Sequence, residues 1–126
     1  MKRDLDLMRN VLLHVEADDW GHDYAANIKI TGKEMADVIY QAMLAWDNGL
    51  LDATDSSTKD GPNLYVRRLT SKGHDYLDYV RDQSAWGHIK RALSESALPP
   101  TVDMVIKVGD ALHSRILEKK KLEHQE

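Results

Sequence analysis

Cysteine is missing from this chain of 126 residues, and so is phenylalanine. The first absence excludes a disulfide scaffold, a thiolate zinc site and a cysteine nucleophile together, and it fits a reducing compartment. The second leaves three tryptophans and five tyrosines to supply all the aromatic bulk, and their polar tips need partners or water. No apolar run approaches the roughly 20 residues needed to cross a bilayer. The opening residues, Met1-Lys2-Arg3-Asp4, turn acidic and amphipathic at once and do not read as a signal peptide. The expectation is a cytoplasmic protein with no membrane contact. Gly-rich phosphate loops and the serine elbow of hydrolases are absent too, so no catalytic, cofactor-binding or metal residue is assigned.

What is present is enough for one folded domain of ordinary size. Hydrophobic residues make up 42% of the chain, which suffices for a core, and the net charge of -4 is unevenly spread. Residues 1–58 carry 5 basic and 11 acidic side chains, residues 59–91 carry 7 and 4, and residues 92–126 carry 5 and 6. Only the middle third could face phosphate, and its small excess is one that ordinary solvated surfaces also reach.

Hydrophobic spacing sets out the elements. Leu5, Met8, Leu12 and Val15, with Val11 beside them, predict a helix over about residues 4–16. Asn27-Ile28-Lys29-Ile30 alternates and predicts a short strand. Thr31, with Glu34 three residues on, predicts a capped second helix ended by Asn48-Gly49. Met35, Val38, Ile39, Ala42, Met43 and Trp46 would face inward, and Lys33, Glu34, Asp37, Gln41 and Asp47 outward. Leu50-Leu51 and residues 64–69 predict a hairpin around a long mobile turn at 52–63, which contains Gly61-Pro62. Thr70, Ser84 and Thr101 each cap a further helix, and Leu98-Pro99-Pro100 breaks the chain before the last one. Trp46 and Trp86 lie on apolar stripes and are expected in the core with Leu12, Ile39, Leu69 and Leu77. The organisation expected is a domain over 1–97 and a C-terminal helix in 98–126 that packs on it or on a partner chain.

The fold class expected is therefore mainly α with a small β-hairpin, an α+β domain. Helix, strand, helix, hairpin, helix is the order of a winged helix, with extra C-terminal helices. Its helix-turn-helix is incomplete, because residues 31–49 hold one helix of about four turns rather than two helices. Met1 to Leu7, Gly49-Leu50-Leu51, the stretch from Arg68 to Asp78, Arg81-Asp82 and Trp86 together resemble the bacterial and phage domain-of-unknown-function family 2513 over roughly residues 1–91. The resemblance implies a winged-helix-like fold and frequent occurrence in prophages and mobile elements. It carries no functional residues over.

Several residues invite a functional reading beside a plainer one. Arg67, Arg68 and Lys72 could contact the phosphates of duplex DNA at the base of the wing, or could keep a strand edge soluble. His74 and Asp78, four apart on a helix, could start a metal site, but two ligands do not close one. His22 beside Asp23 suggests acid–base chemistry, yet sequence neighbours rarely face each other and no nucleophile accompanies them. Trp20, in an acidic loop, is the better aromatic for partner contact. Val105, Ile106, Gly109, Leu112 and Ile116 form a stripe on the last helix broader than one neighbour would cover, so that helix is expected to contribute to a homodimer. Taken together, the chain reads as a non-enzymatic binding module that contacts a protein partner or itself. A small DNA-binding transcriptional regulator is the alternative, and a hydrolytic or metal-dependent enzyme the distant one.

Overall fold

A computed structural model describes residues 1–18 and 22–123 of the chain. Among them run five α-helices and one antiparallel sheet of three strands, an α+β fold. The elements are α1 (Leu5–Ala17), β1 (Asp23–Tyr24), α2 (Met35–Asp47), β2 (Leu51–Asp55), β3 (Leu64–Leu69), α3 (Ser71–Val80), α4 (Gln83–Glu95) and α5 (Val102–Glu123). No helix among the described residues is long and apolar enough to cross a membrane. The chain groups into two compact units, one spanning Met1–Asp78 and a second beginning at Tyr79.

In the first unit, Asp4 caps α1 by accepting a hydrogen bond from the Leu7 backbone N–H at 3.0 Å. Leu7, Met8, Val11 and Leu12 then fall on one buried face. Against them lie Val38, Ile39, Ala42 and Ala45 of α2 and the inner face of the sheet, Leu51, Leu64, Val66 and Leu69. Strand order is β1-β3-β2, with Tyr24 opposite Tyr65 and Thr54 opposite Tyr65 on the other side. A bulge lies between Asp52 and Ala53.

The two hinges of the hairpin meet on Thr70. Its backbone N–H donates to the Leu50 carbonyl at 3.0 Å, and its hydroxyl donates to the Gly49 carbonyl at 2.6 Å. The same oxygen accepts from the Gly73 N–H at 3.0 Å, capping α3. Gly73 sits so close to the hairpin entry that a Cβ there would overlap the Leu50 carbonyl oxygen.

Five local expectations are corrected. Asn27 to Ile30 is not a strand: Ala25–Asn27 forms a 3-10 turn, and the strand is the pair before it, so Ile28 is buried without joining the sheet. Thr31 does not cap α2, because Gly32 takes a left-handed turn with φ 78° and Lys33 N–H bonds back to Ile30; the helix starts at Met35 after Glu34. Asp82, not Ser84, caps α4, accepting from the Ala85 N–H at 2.9 Å. Strand β2 runs on to Asp55, and the turn is tied across by Ser56 N–H to Asn63 and by Thr58 and Gly61 to each other. Gln41 is buried rather than outward. Its amide donates to the Lys2 carbonyl and accepts from the Asp4 N–H, both at 2.9 Å, pinning the N-terminal segment to α2.

In the second unit, Trp86, Ile89 and Leu93 of α4 are buried, as are Val102 and Val105 of α5. Thr101 caps α5 through the Met104 N–H at 3.1 Å, as its sequence position predicts. Trp46 is only partly buried, whereas Trp86 is 3% exposed.

Tyr76 is fully buried, and its hydroxyl has no hydrogen-bond partner among the described residues. Burial pushes this phenol well above the usual tyrosine range. An unsatisfied buried hydroxyl costs about 1–3 kcal/mol. Tyr76→Phe is therefore expected to leave stability unchanged or raise it by about 1 kcal/mol in urea denaturation. A loss larger than that would show the hydroxyl to be bonded in solution.

Candidate functional site

An apolar concavity lies in the first unit, between the exposed side of α2 and the tip of the β2–β3 hairpin. Its floor is the flank of α2 that the core does not use. Ile39 and Ala42 begin the buried face, while Met35, Ala36, Tyr40 and Met43 fall beside it at helical spacing. Met1 closes one side, held there by the Gln41 clamp on Lys2 and Asp4. Asp60, Gly61 and Pro62 close the other. The tip can stand there because its short bridge, with Gly61 at φ 137°, turns the chain within four residues. Met1 is 71% exposed and Met35 52%, so both thioethers face the groove rather than a core.

The groove encloses about 290 Å³. That falls at the lower bound of sites that take up a whole small molecule, about 300–1,000 Å³, and suits a few side chains of a partner. Methionine suits such a surface, since its unbranched, polarisable side chain repacks around different shapes. Asp60 is the charged side chain of the lining, in a wider segment rich in carboxylates. Residues 34–60 carry six carboxylates, Glu34, Asp37, Asp47, Asp52, Asp55 and Asp60, and one cation, Lys59. Asp55 is held below the usual carboxylate range by the hydroxyl and the backbone N–H of Ser57, so it stays charged at the hairpin end.

Arg67 and Arg68 converge on one carboxylate. Arg67 donates to Asp52 at 3.3 Å and also to the Thr54 hydroxyl. Arg68 lies 3.5 Å from the other Asp52 oxygen and donates to the Leu69 carbonyl at 3.0 Å. Lys72 is exposed on α3. On the outer face of the sheet, Tyr65 is flanked edge-on by Tyr24 at 5.1 Å and by His22 at 6.0 Å, with the Arg67 guanidinium over its ring at 5.8 Å. His22 thus faces a tyrosine and not Asp23. Asp23 instead accepts from the Asn27 amide and the Tyr24 N–H, which hold its carboxyl below the usual range with help from His14. His74 and Asp78 are exposed on α3. Among the described residues no group of three or more His, Asp or Glu side chains is placed to hold a metal ion.

The residues expected to form a partner surface divide. Trp20 lies outside the described residues. Val105 is fully buried, and Gly109 packs on the chain's own Tyr79, where a Cβ would come within 2.7 Å of the ring. These two are spent inside the second unit. Ile106 and Leu112 are half-buried, and Ile116 is 54% exposed. The groove itself was not anticipated: Met35 and Met43 share the apolar stripe of α2, and only the closed hairpin tip shows that their side of the helix is open.

A family model described as Hypothetical protein (DUF2513) matches residues 2–99. A protein of Haemophilus influenzae, described as an uncharacterized protein, is 30% identical over 117 residues, covering 93% of this chain and 99% of that one. No solved structure matches.

Proposed function

We propose that this chain, which belongs to the DUF2513 family, is a winged-helix-like, non-enzymatic module that binds a protein partner through the groove between α2 and the hairpin tip. The observation that carries the reading is an open methionine-lined cleft of about 290 Å³ with the Asp60 carboxylate at its rim. Its apolar floor accepts aliphatic side chains, and the Asp60 carboxylate at the hairpin tip favours a cationic neighbour. The occupant is thus a basic amphipathic segment, docked as helices dock in apolar grooves.

The experiment is fluorescence anisotropy with a labelled Leu/Lys amphipathic peptide and a Leu/Glu peptide of the same pattern. The Leu/Lys peptide is expected to bind, more weakly as salt rises, and the Leu/Glu peptide not to bind. Met35→Glu places a charge in the floor at an exposed position, so it should leave the fold intact and weaken binding by about tenfold or more. Equal binding of both peptides, or binding indifferent to Met35→Glu, would contradict the reading.

Duplex DNA is the second reading, supported by the exposure of Arg68 and Lys72. Against it stand the shared carboxylate of Asp52 and the acidic α2, the helix that would have to enter a groove. A gel-shift series with random duplex at low salt separates the two. Tight binding that falls steeply with added salt would favour DNA, and no shift at low salt would remove it.

A further inference from the structure

We propose that Gln41 is the residue that keeps the groove in its binding shape, by latching the N-terminal strap of residues 1–4 onto α2 as one wall. The proposal rests on the groove reading above and adds the positioning residue on which the affinity of that site depends.

Gln41 is 2% exposed in the middle of α2, where an amide is costly unless it is bonded. Both ends of this amide are used. Its nitrogen donates to the Lys2 carbonyl and its oxygen accepts from the Asp4 N–H, both at 2.9 Å. A leucine or methionine would fill the same buried space. What the amide adds is a fixed position for the strap, since one donor and one acceptor two residues apart accept a single register.

Little else holds the strap. Asp4 caps α1 through the Leu7 N–H, which fixes residue 4 and leaves residues 1–3 to the latch. Its carboxylate lies 3.7 Å from the Lys33 amine, a largely exposed pair that contributes little. Residues 1–3 are exposed, so no burial of their own presses them against α2. Yet Met1 lines the groove with Met35, Tyr40 and Met43. Tyr40, Gln41 and Met43 fall within one turn of α2, so the same turn supplies the floor and the latch. With the latch open, the groove keeps its floor and its hairpin side but loses the Met1 side, and an incoming apolar side chain buries less surface there.

Two readouts on the full chain test this. Without any ligand, the Met1 methyl signal of Gln41→Leu is expected to move to that of a solvated methionine, with Met104 unchanged as the reference. With the labelled Leu/Lys peptide, Gln41→Leu should bind about fivefold or more weakly than the wild type, the effect of losing one well-packed contact. Gln41→Glu separates the latch from damage to the core. Its protonated carboxyl can accept from the Asp4 N–H and donate to the Lys2 carbonyl, whereas the ionised group only accepts and sets its charge against that carbonyl oxygen. Its affinity relative to the wild type at the same pH should be close to unity at about pH 5 and fall towards about pH 9 as the buried carboxyl ionises. The sign is informative, because the added negative charge would by itself favour a basic peptide. A Met1 signal that stays in place in Gln41→Leu overturns the latch and leaves the groove. So does a peptide affinity indifferent to Gln41→Leu, or to pH in Gln41→Glu. A wild type that does not bind the peptide removes the groove reading and the latch together.

Discussion

Trp86→Ala is expected to cost about 3–5 kcal/mol of unfolding free energy, the range for truncating a large aromatic in a packed core. The side chain is 3% exposed on α4, in a chain without phenylalanine that has no second aromatic of its size in this helix pair. Ile89 and Leu93, one and two turns further along α4, share its buried face. Removing the indole leaves a void that neither can close, because packed side chains relax only in part. Trp46 makes the comparison. It carries the same surface on α2 but is only partly buried, so Trp46→Ala should cost clearly less. Urea denaturation followed by far-UV circular dichroism measures both, and a Trp86→Ala loss below about 1 kcal/mol would place that ring at a surface.

The second large effect is expected at Gly73. Gly73→Ala should destabilise by about 3 kcal/mol, at the upper end of what overpacking ordinarily costs. The new methyl would overlap the Leu50 carbonyl oxygen, and that oxygen is already fixed by the Thr70 N–H at 3.0 Å. Relief requires moving the start of α3 away from the hairpin entry, which also strains the Thr70 bonds to Gly49 and Gly73. Gly87 provides the opposite sign. It lies inside α4 with nothing within 4 Å of a built Cβ, so Gly87→Ala should stabilise by about 0.5–1 kcal/mol through helix propensity alone. Equal effects at the two glycines would show that the close approach at Leu50 is not made.

Much of this arrangement was legible in the residues. Apolar spacing placed α1, α2 and α5 to within a few residues, because a buried helix face must repeat at its own period. Asn48-Gly49 and Thr101 were readable since capping and helix exit depend on one or two side chains acting locally. The motif around Arg68 to Asp78 carried the family, which the match over residues 2–99 shows. Features that depend on distant partners were not legible. Ile28 alternates like a strand residue but is buried beside a 3-10 turn. Gln41 looked solvated because its partners, the backbone groups of Lys2 and Asp4, lie 39 and 37 residues away. Val105 and Gly109 looked available because nothing in the stripe showed that Tyr79 would cover the glycine.

The groove as a helix-binding site is the central claim, and the methionines report on it directly. The chain has five: Met1, Met35 and Met43 line the groove, Met8 is fully buried in α1, and Met104 lies on the first turn of α5. Methyl-labelled protein can be titrated with the Leu/Lys amphipathic peptide. The account predicts that the Met1, Met35 and Met43 methyl signals shift together and saturate, while Met8 and Met104 stay in place. Shifts confined to Met104, or none at saturating peptide, would contradict it.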